Sequence, residues 1–311
     1  MKKGLKIIGI AVVIIVLILI LLIVIFLLAA SFAKATPKNY TKEVKTGGQI
    51  EEKYLSKGDY QVQSMKEVGS EITKNYYVYY PEKLKESDEK YPVVVVLNGT
   101  GVLPKKYTAL FNHLASWGFV VIGNDDGSTG FGKSADETID FIQSENSDSN
   151  SIFYRKLDLD NIGITGHSQG GAGVFTASSI MEHKNQYKTV VSLSPTYEEI
   201  AHQFGWNYDL RKITAPTLMI AGTNGDFETK NVIPIEKMIE MYNKIPSFKV
   251  MLRRIGADHG QMLYSVDGYV TAWFRWQLME DEYAANAFIG DYPEILDNKL
   301  YQDQQIDYDA D

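Results

Sequence analysis

Short apolar runs alternate with amphipathic stretches along most of this chain. The run "YPVVVVLNG" (Tyr91–Gly99) is continuously apolar, which is typical of a buried strand, and the stretch "KKYTALFNHLASWG" behind it has helical spacing. Similar runs recur downstream in "FVVIGND", "NIGITG", "TVVSLSP", "APTLMIAG" and "FKVMLRRIG". Two earlier runs, "YQVQSMKEV" and "NYYVYYP", predict a pair of antiparallel strands. Strands that alternate with helices predict an α/β fold, with a mostly parallel sheet covered by helices on both faces.

The N-terminal region is apolar in a different way. Ile7 to Ala30 is an unbroken apolar run of 24 residues. At about 1.5 Å per residue this run reaches about 36 Å as a helix, enough to span a bilayer. Its length favours an uncleaved membrane anchor over a signal peptide, although "FAKAT" with Ala33 and Ala35 leaves cleavage open.

Charge around the run bears on its orientation. Lys2, Lys3 and Lys6 lie directly before it and favour a cytoplasmic N-terminus with the rest of the chain outside, even though further lysines follow it. A polar stretch follows the apolar run, and the acidic, tyrosine-rich C-terminal end predicts a surface wrap that becomes disordered. The predicted division is a basic stub, an anchor, a linker, an α/β domain and an acidic tail, at residues 1–6, 7–30, 31–58, 59–290 and 291–311.

Composition narrows the chemistry. The 311 residues carry a net charge of −8, and the part beyond residue 34 carries −12, because four lysines and no acids precede it. An acidic domain argues against nucleic acid as a partner. The chain has no cysteine, which excludes disulfides and thiolate metal sites.

The stretch "NIGITGHSQGGAG" (Asn161–Gly173) sets Ser168 among five glycines. A strand-like run precedes the serine and a helix-like run follows it, with Gly166 and Gly170 two residues away on either side. This is the G-x-S-x-G elbow, in which a tight turn exposes a nucleophilic serine. Side chains at the two glycines would collide with the neighbouring strand and helix. The pattern predicts Ser168 as a nucleophile.

A serine nucleophile needs a histidine base that an acid orients. His259 follows the last predicted core strand, whereas His183 and His202 fall in polar helix-like stretches. For the acid, Asp226 comes just past the strand that ends at Gly222, and Glu228 is the reserve candidate. Asp258 adjoins His259, and neighbouring side chains rarely face one another.

Acyl transfer also needs backbone N–H groups that bind the oxyanion. The residue after the nucleophile, Gln169, supplies one of them. The second is expected in the loop "LNGTG" after the first long parallel strand, at Thr100, where Gly99 and Gly101 let the backbone approach a substrate.

The motifs "GHSQGGAG", "GTNGD" and "GADHG", in this order, resemble the dienelactone hydrolase, chlorophyllase and bacterial cutinase (polyester hydrolase) branch of the α/β-hydrolases. The resemblance covers roughly Tyr60 to Gln277. It implies an α/β-hydrolase fold and a serine esterase with Ser168, Asp226 and His259 as the triad. It also sets Tyr197 near an aromatic residue that flanks the cleft in relatives. Thr100 replaces the aromatic residue common after the oxyanion-loop glycine, and the relatives' C-terminal disulfide is missing.

A competing motif is "GSTGFGKS" (Gly127–Ser134), which fits the phosphate-loop pattern and lies between a strand and a helix. Asp125 and Asp126 precede it and would repel phosphate. No other strand ends in the aspartate that would hold a metal. Nucleotide binding is therefore a minor alternative.

Together these features predict a membrane-anchored serine hydrolase that cleaves carboxylic esters through an acyl-enzyme, without metal or cofactor. Its partners would be a small or lipid-like ester and the membrane. An acyltransferase with the same triad is the main alternative.

Overall fold

The computed structural model describes residues 35–308, and this part of the chain contains nine strands in one sheet. The strands are β1 Val62–Val68, β2 Asn75–Pro81, β3 Tyr91–Leu97, β4 Val120–Asn124, β5 Leu157–His167, β6 Tyr187–Leu193, β7 Thr217–Gly222, β8 Lys249–Arg254 and β9 Tyr301–Asp307. The helices are α1 Tyr40–Glu43, α2 Gln49–Leu55, α3 Thr108–Ser116, α4 Lys133–Ser147, α5 Gln169–Ser179, α6 Glu198–Gln203, α7 Ile235–Lys244, α8 Asp267–Met279, α9 Glu282–Ala285 and α10 Glu294–Asp297. A π-helix spans Phe227–Val232.

The sheet has the order β1-β2-β4-β3-β5-β6-β7-β8-β9. The strands from β4 to β8 run parallel to one another, while β1, β2 and β9 pair antiparallel at the two sides. The predicted α/β fold with a mostly parallel sheet is confirmed. The predicted antiparallel pair before it is also confirmed, with Met65 opposite Val78.

Alternation along the buried strands divides the core into two layers. In β3, Val93 and Val95 pack on the side of α4 and α5, while Val94 and Val96 pack on the side of α2, α3 and α8. Every residue of β3 is buried, because helices cover both faces of the sheet. Because the strands from β4 to β8 run parallel, their carboxyl ends lie at one edge of the sheet, where the loops that follow them can converge.

The predicted linker 31–58 is wrong over the residues that the structure describes. Tyr40, Tyr54 and Leu55 are buried in the layer with α3 and α8, so the segment is part of the domain. The segment is amphipathic despite its many charged residues: Ile50 and Tyr54 are four residues apart and face the core.

Glu51 fastens this segment to the far end of the chain. Its buried carboxylate accepts hydrogen bonds from the Tyr301 hydroxyl and from Asn298 Nδ2 at 2.8 Å, and it pairs with Arg254 at 3.3 Å. The predicted surface tail 291–311 is thus also wrong in part, because β9 completes the sheet against β8.

The predicted stub 1–6 and anchor 7–30 lie outside the described residues. Between residues 35 and 308, no helix is both long enough and apolar enough to cross a bilayer.

Candidate active site

Ser168 lies between the end of β5 and the start of α5, as the elbow pattern predicts. Its backbone has φ 60° and ψ −118°, in a region that costs about 1–3 kcal/mol for a residue other than glycine. A side chain on Gly166 would lie 2.4 Å from the Gly170 carbonyl oxygen, and one on Gly170 would lie 2.3 Å from that of Leu97. The turn is therefore possible only with glycines at both positions, and it holds the serine in a strained, defined orientation.

Two histidines lie beside this elbow. His167 precedes the serine, and its ring centroid is 4.4 Å from that of His259. His167 Nε2 donates a hydrogen bond to the His259 carbonyl oxygen at 2.7 Å, because a carbonyl can only accept. Burial and the nearby His259 lower the pKa of His167 to about 3, so its ring stays neutral at physiological pH. His167 thus supports the loop of His259 and is no candidate for the base.

The acid that meets His259 is Glu228. Its Oε2 lies 2.6 Å from His259 Nδ1, and its side chain is fully buried. Its second oxygen, Oε1, accepts hydrogen bonds from Ser194 Oγ and from the Gly222 amide, both at 2.6 Å. Burial opposes ionisation of Glu228, but these hydrogen bonds and the charge of His259 hold its pKa below the usual value. The carboxylate is therefore ionised and fixed on the imidazole.

Asp226, the predicted acid, lies elsewhere. Its side chain is 79% exposed and pairs with Lys230 at 2.9 Å. The chain enters the π-helix directly after Asp226, so the residue that turns inward is Glu228. The structure thus brings the reserve candidate Glu228, and not Asp226, to His259. The spacing of Asp226 and Lys230, four residues apart, was a signal for an exposed helical ion pair.

The two residues predicted to bind the oxyanion contact one another through their side chains. Thr100 Oγ1 donates a hydrogen bond to Gln169 Oε1 at 3.3 Å, so the loop after β3 touches the start of α5. Gln169 is the first residue of its helix, where the backbone N–H has no partner within the helix. The Gly99 amide donates a hydrogen bond to the buried Tyr107 hydroxyl at 2.8 Å, which fixes this loop to the core.

The segment Gly127–Ser134 does not form a phosphate cradle. Thr129 donates to the Asn98 carbonyl oxygen at 2.6 Å, and a side chain on Gly130 would strike the ring of Trp206. The Ser134 side chain is buried, whereas Lys133 is exposed. The segment is packed against the loop after β3 and belongs to the frame of the elbow.

Phe227 is an aromatic residue that borders the site. Phe227 is 47% exposed, and its ring meets the His259 ring edge-on at 5.0 Å. Sequence reasoning missed it, because one phenylalanine in a polar loop has no distinguishing pattern. Tyr197 is half-buried before α6, and its amide donates to the Val232 carbonyl oxygen at 3.0 Å. In residues 35–308, no group of acidic or histidine side chains could hold a metal ion.

Comparison with known proteins shows the family of the chain. The model of the family described as PET hydrolase-like matches residues 44–304. The chain belongs to the PET hydrolase-like family. The resemblance to the cutinase and polyester hydrolase branch is therefore confirmed, and the match includes most of the N-terminal segment that docks on the domain.

Individual relatives of this PET hydrolase-like protein are distant. Cutinase est2 of Thermobifida alba is 25% identical over 66% of the chain and 64% of its own length. Cutinase est1 of the same organism is 26% identical over 66% of the chain and 65% of its own length. The bis(hydroxyethyl) terephthalate hydrolase of Streptomyces coelicolor is 26% identical over 55% of the chain and 49% of its own length. The chain thus spans less than two thirds of the length of each relative.

Proposed function

We propose that this protein is a serine hydrolase that cleaves carboxylic esters through an acyl-enzyme, with Ser168, His259 and Glu228 as its triad. The observation that carries the proposal is the contact of the buried Glu228 with His259 beside the strained serine elbow. The names of the relatives, two cutinases and a terephthalate ester hydrolase, agree with this reaction class.

The geometry supports the following roles. Glu228 occupies Nδ1 of His259, so Nε2 is the nitrogen that takes the proton of the Ser168 hydroxyl as Oγ attacks the ester carbonyl. The tetrahedral oxyanion would be bound by the backbone N–H groups of Gln169 and Thr100. His259 then returns the proton to the leaving alcohol. Water, deprotonated by the same nitrogen, releases the acid and restores the serine.

The substrate is proposed as a small or lipid-like ester, and the exposed ring of Phe227 beside His259 gives the site an apolar border. Tyr197 remains a proposed substrate contact. No observation favours an acyltransferase. Product analysis in the presence of added alcohols would reveal one by transfer of the acyl group to the alcohol.

The experiment compares the wild type with Ser168→Ala. A fluorophosphonate probe should label the wild type only, and hydrolysis of p-nitrophenyl esters of graded acyl length and of bis(hydroxyethyl) terephthalate should fall to near background in the variant. Lys133→Ala is the matched control and should keep its turnover within about two-fold, because a substitution away from the reacting atoms alters little. Unlabelled wild type, or an active Ser168→Ala variant, would overturn the proposal.

We further propose that Ile7–Ala30 anchors the enzyme with its domain outside the cell. Thr36 is already bonded to the domain, through its amide and the Lys106 carbonyl oxygen at 2.8 Å. Residues 31–35 would then reach at most about 18 Å at about 3.6 Å each, so the domain would stay near the bilayer surface. The protein should resist carbonate extraction from membranes, and external protease should cut the domain on intact cells. Protection until lysis would contradict this orientation.

A further inference from the structure

The oxygen of Glu228 that faces away from His259 is held as tightly as the one that meets it. Oε1 receives the Ser194 hydroxyl and the Gly222 amide, while Oε2 receives His259 Nδ1, each at 2.6 Å. We infer that Ser194 is a positioning residue of the triad, whose hydroxyl fixes the Glu228 carboxylate in the orientation that the imidazole of His259 requires. This inference rests on the proposed function.

Ser194 occupies the junction between nucleophile and acid. It follows β6 directly, and the carbonyl oxygen of Leu193, the last residue of that strand, accepts the Ser168 amide at 2.9 Å. The Ser194 amide donates to the Ile220 carbonyl oxygen in β7 at 2.8 Å. Two consecutive residues at the end of β6 thus hold the serine and the acid in a fixed relation.

The backbone of Ser194 is unusual. Its φ is 43°, in the left-handed region that residues other than glycine and asparagine rarely adopt. Its side chain is completely buried, so the hydroxyl is withdrawn from any substrate and its partner is Glu228. The strained conformation directs that hydroxyl at Oε1.

A glutamate needs this support more than an aspartate would. It has one more rotatable bond, and Glu228 projects from a single π-helical turn, so its carboxylate has more ways to leave the imidazole. An ionised carboxylate accepts only, so the Ser194 hydroxyl must donate, and such charge-assisted bonds are the stronger kind. Gly222 is the other donor. A side chain there would lie 2.4 Å from the Ala257 carbonyl oxygen, which leaves Ser194 as the donor that mutation can remove.

The experiment uses two variants of Ser194. Ser194→Ala removes the hydroxyl and keeps the strained φ, whereas Ser194→Gly removes the hydroxyl and relieves the strain. The control is Ser178→Ala in α5, which removes an equally buried hydroxyl that donates to the Val174 carbonyl oxygen at 2.7 Å. Steady-state kinetics from pH 4 to about 9, thermal melting and fluorophosphonate labelling are measured for each protein.

Both Ser194 variants should lose about 10- to 100-fold in kcat with KM nearly unchanged, as expected for loss of one hydrogen bond to a charged group. Without this donor the negative charge of Glu228 acts more strongly on His259 and favours the protonated ring, so the acid limb of the kcat/KM profile should move to higher pH. His259 and His167 are the other titratable groups near this carboxylate. Ser194→Gly should melt close to the wild type, and Ser178→Ala should show unchanged kinetics.

Wild-type kinetics in Ser194→Gly would overturn the inference, as would a loss of activity with an unmoved pH profile. A wild type that neither labels nor turns over esters would instead remove the proposed function, and the inference with it. An active wild type that is sensitive to Glu228→Gln but indifferent to both Ser194 variants would remove the inference alone.

Discussion

Two histidine–carboxylate pairs of the same length lie in this molecule, and they differ in what surrounds them. His259 and Glu228 meet at 2.6 Å at the edge of the sheet, and His113 and Asp267 meet at 2.6 Å in the core between α3 and α8. The His113 side chain is 3% exposed and that of His259 is 16% exposed. The same two chemical groups thus occur once beside a half-buried, strained serine and once in a sealed interior.

Both nitrogens of the inner histidine face acceptors. Nδ1 faces Asp267, and Nε2 donates to the Ser56 carbonyl oxygen at 2.9 Å. The hydroxyl of Tyr40 also donates to Asp267. Burial alone would lower the pKa of His113, but the charge of Asp267 and the carbonyls of Ser56 and Leu55 raise it above its usual value. The raised pKa favours the protonated form of His113, and the contacts of Ser56 and Tyr40 with this pair fasten the N-terminal segment to the core.

The outer histidine has one nitrogen fixed by Glu228, while the other faces the elbow side in the proposed mechanism. A catalytic histidine must gain and lose a proton in each cycle, whereas a structural one must keep it. The comparison teaches that a short histidine–carboxylate contact does not by itself identify a catalytic site. The partner of the second imidazole nitrogen and the presence of a neighbouring nucleophile distinguish a catalytic pair from a structural one.

Glu228→Gln should have the largest effect, on rate. The glutamine keeps the volume but cannot fix the imidazole in the correct tautomer, and in the serine protease triad such a change costs about 10⁴ in kcat. We expect a loss of about 10³–10⁴ in ester turnover with a folded protein, measured by steady-state kinetics and circular dichroism. Asp226→Asn is the matched control and should change kcat less than about two-fold, since Asp226 is exposed. If the two results were exchanged, Asp226 would be the acid.

His113→Gln should have the next largest effect, on stability. It leaves the Asp267 carboxylate buried without its cation, and breaking a buried pair in this way costs about 3–5 kcal/mol. Urea unfolding near pH 6 should show the loss, while kcat of the folded fraction should stay within about two-fold of the wild type. A large loss of kcat without loss of stability would show that the inner pair takes part in the reaction.

The pH dependence of that loss has a defined sign. His113 has a raised pKa in the folded state, so its contribution to stability is complete below the unfolded value of about 6.5 and disappears as pH rises through the folded pKa. Glu228 has a lowered pKa, so its contribution is complete above about 4.3 and disappears as pH falls. The stability difference between wild type and His113→Gln should therefore shrink at alkaline pH. A difference that grew with pH would contradict the imidazolium assignment.

Phe227→Ala should have the smallest effect, and only at the outer pair. The edge-on contact with His259 is worth about 0.5–1.5 kcal/mol, so kcat/KM should fall about two- to ten-fold. The free energy of unfolding should be nearly unchanged because the ring is 47% exposed. Tyr40→Phe is the counterpart at the inner pair and should lower stability without changing kcat/KM. Equal effects of both variants on both quantities would erase the distinction between the pairs.

The sequence predicted those features that depend on local pattern. The buried strands, the elbow at Ser168 and the position of His259 after β8 follow from apolar runs and glycines within a few residues. The contact of Glu228 with His259 could not be predicted in this way, because a π-helical turn, for which the sequence has no local signal, points Glu228 inward and Asp226 outward. The docking of the N-terminal segment has no local signal either, because its partners, among them Asp267 and Tyr301, are more than 200 residues away.

The hydrogen bond between Glu51 and Tyr301, which are far apart in the sequence, also has a consequence for folding during synthesis. The two residues are separated by 250 positions, and a ribosome adds about 5–20 residues per second. Glu51 therefore emerges about 10–50 seconds before the tyrosine that helps to bury its charge. The N-terminal segment therefore cannot complete its contacts with β9 until nearly the whole chain has been synthesised.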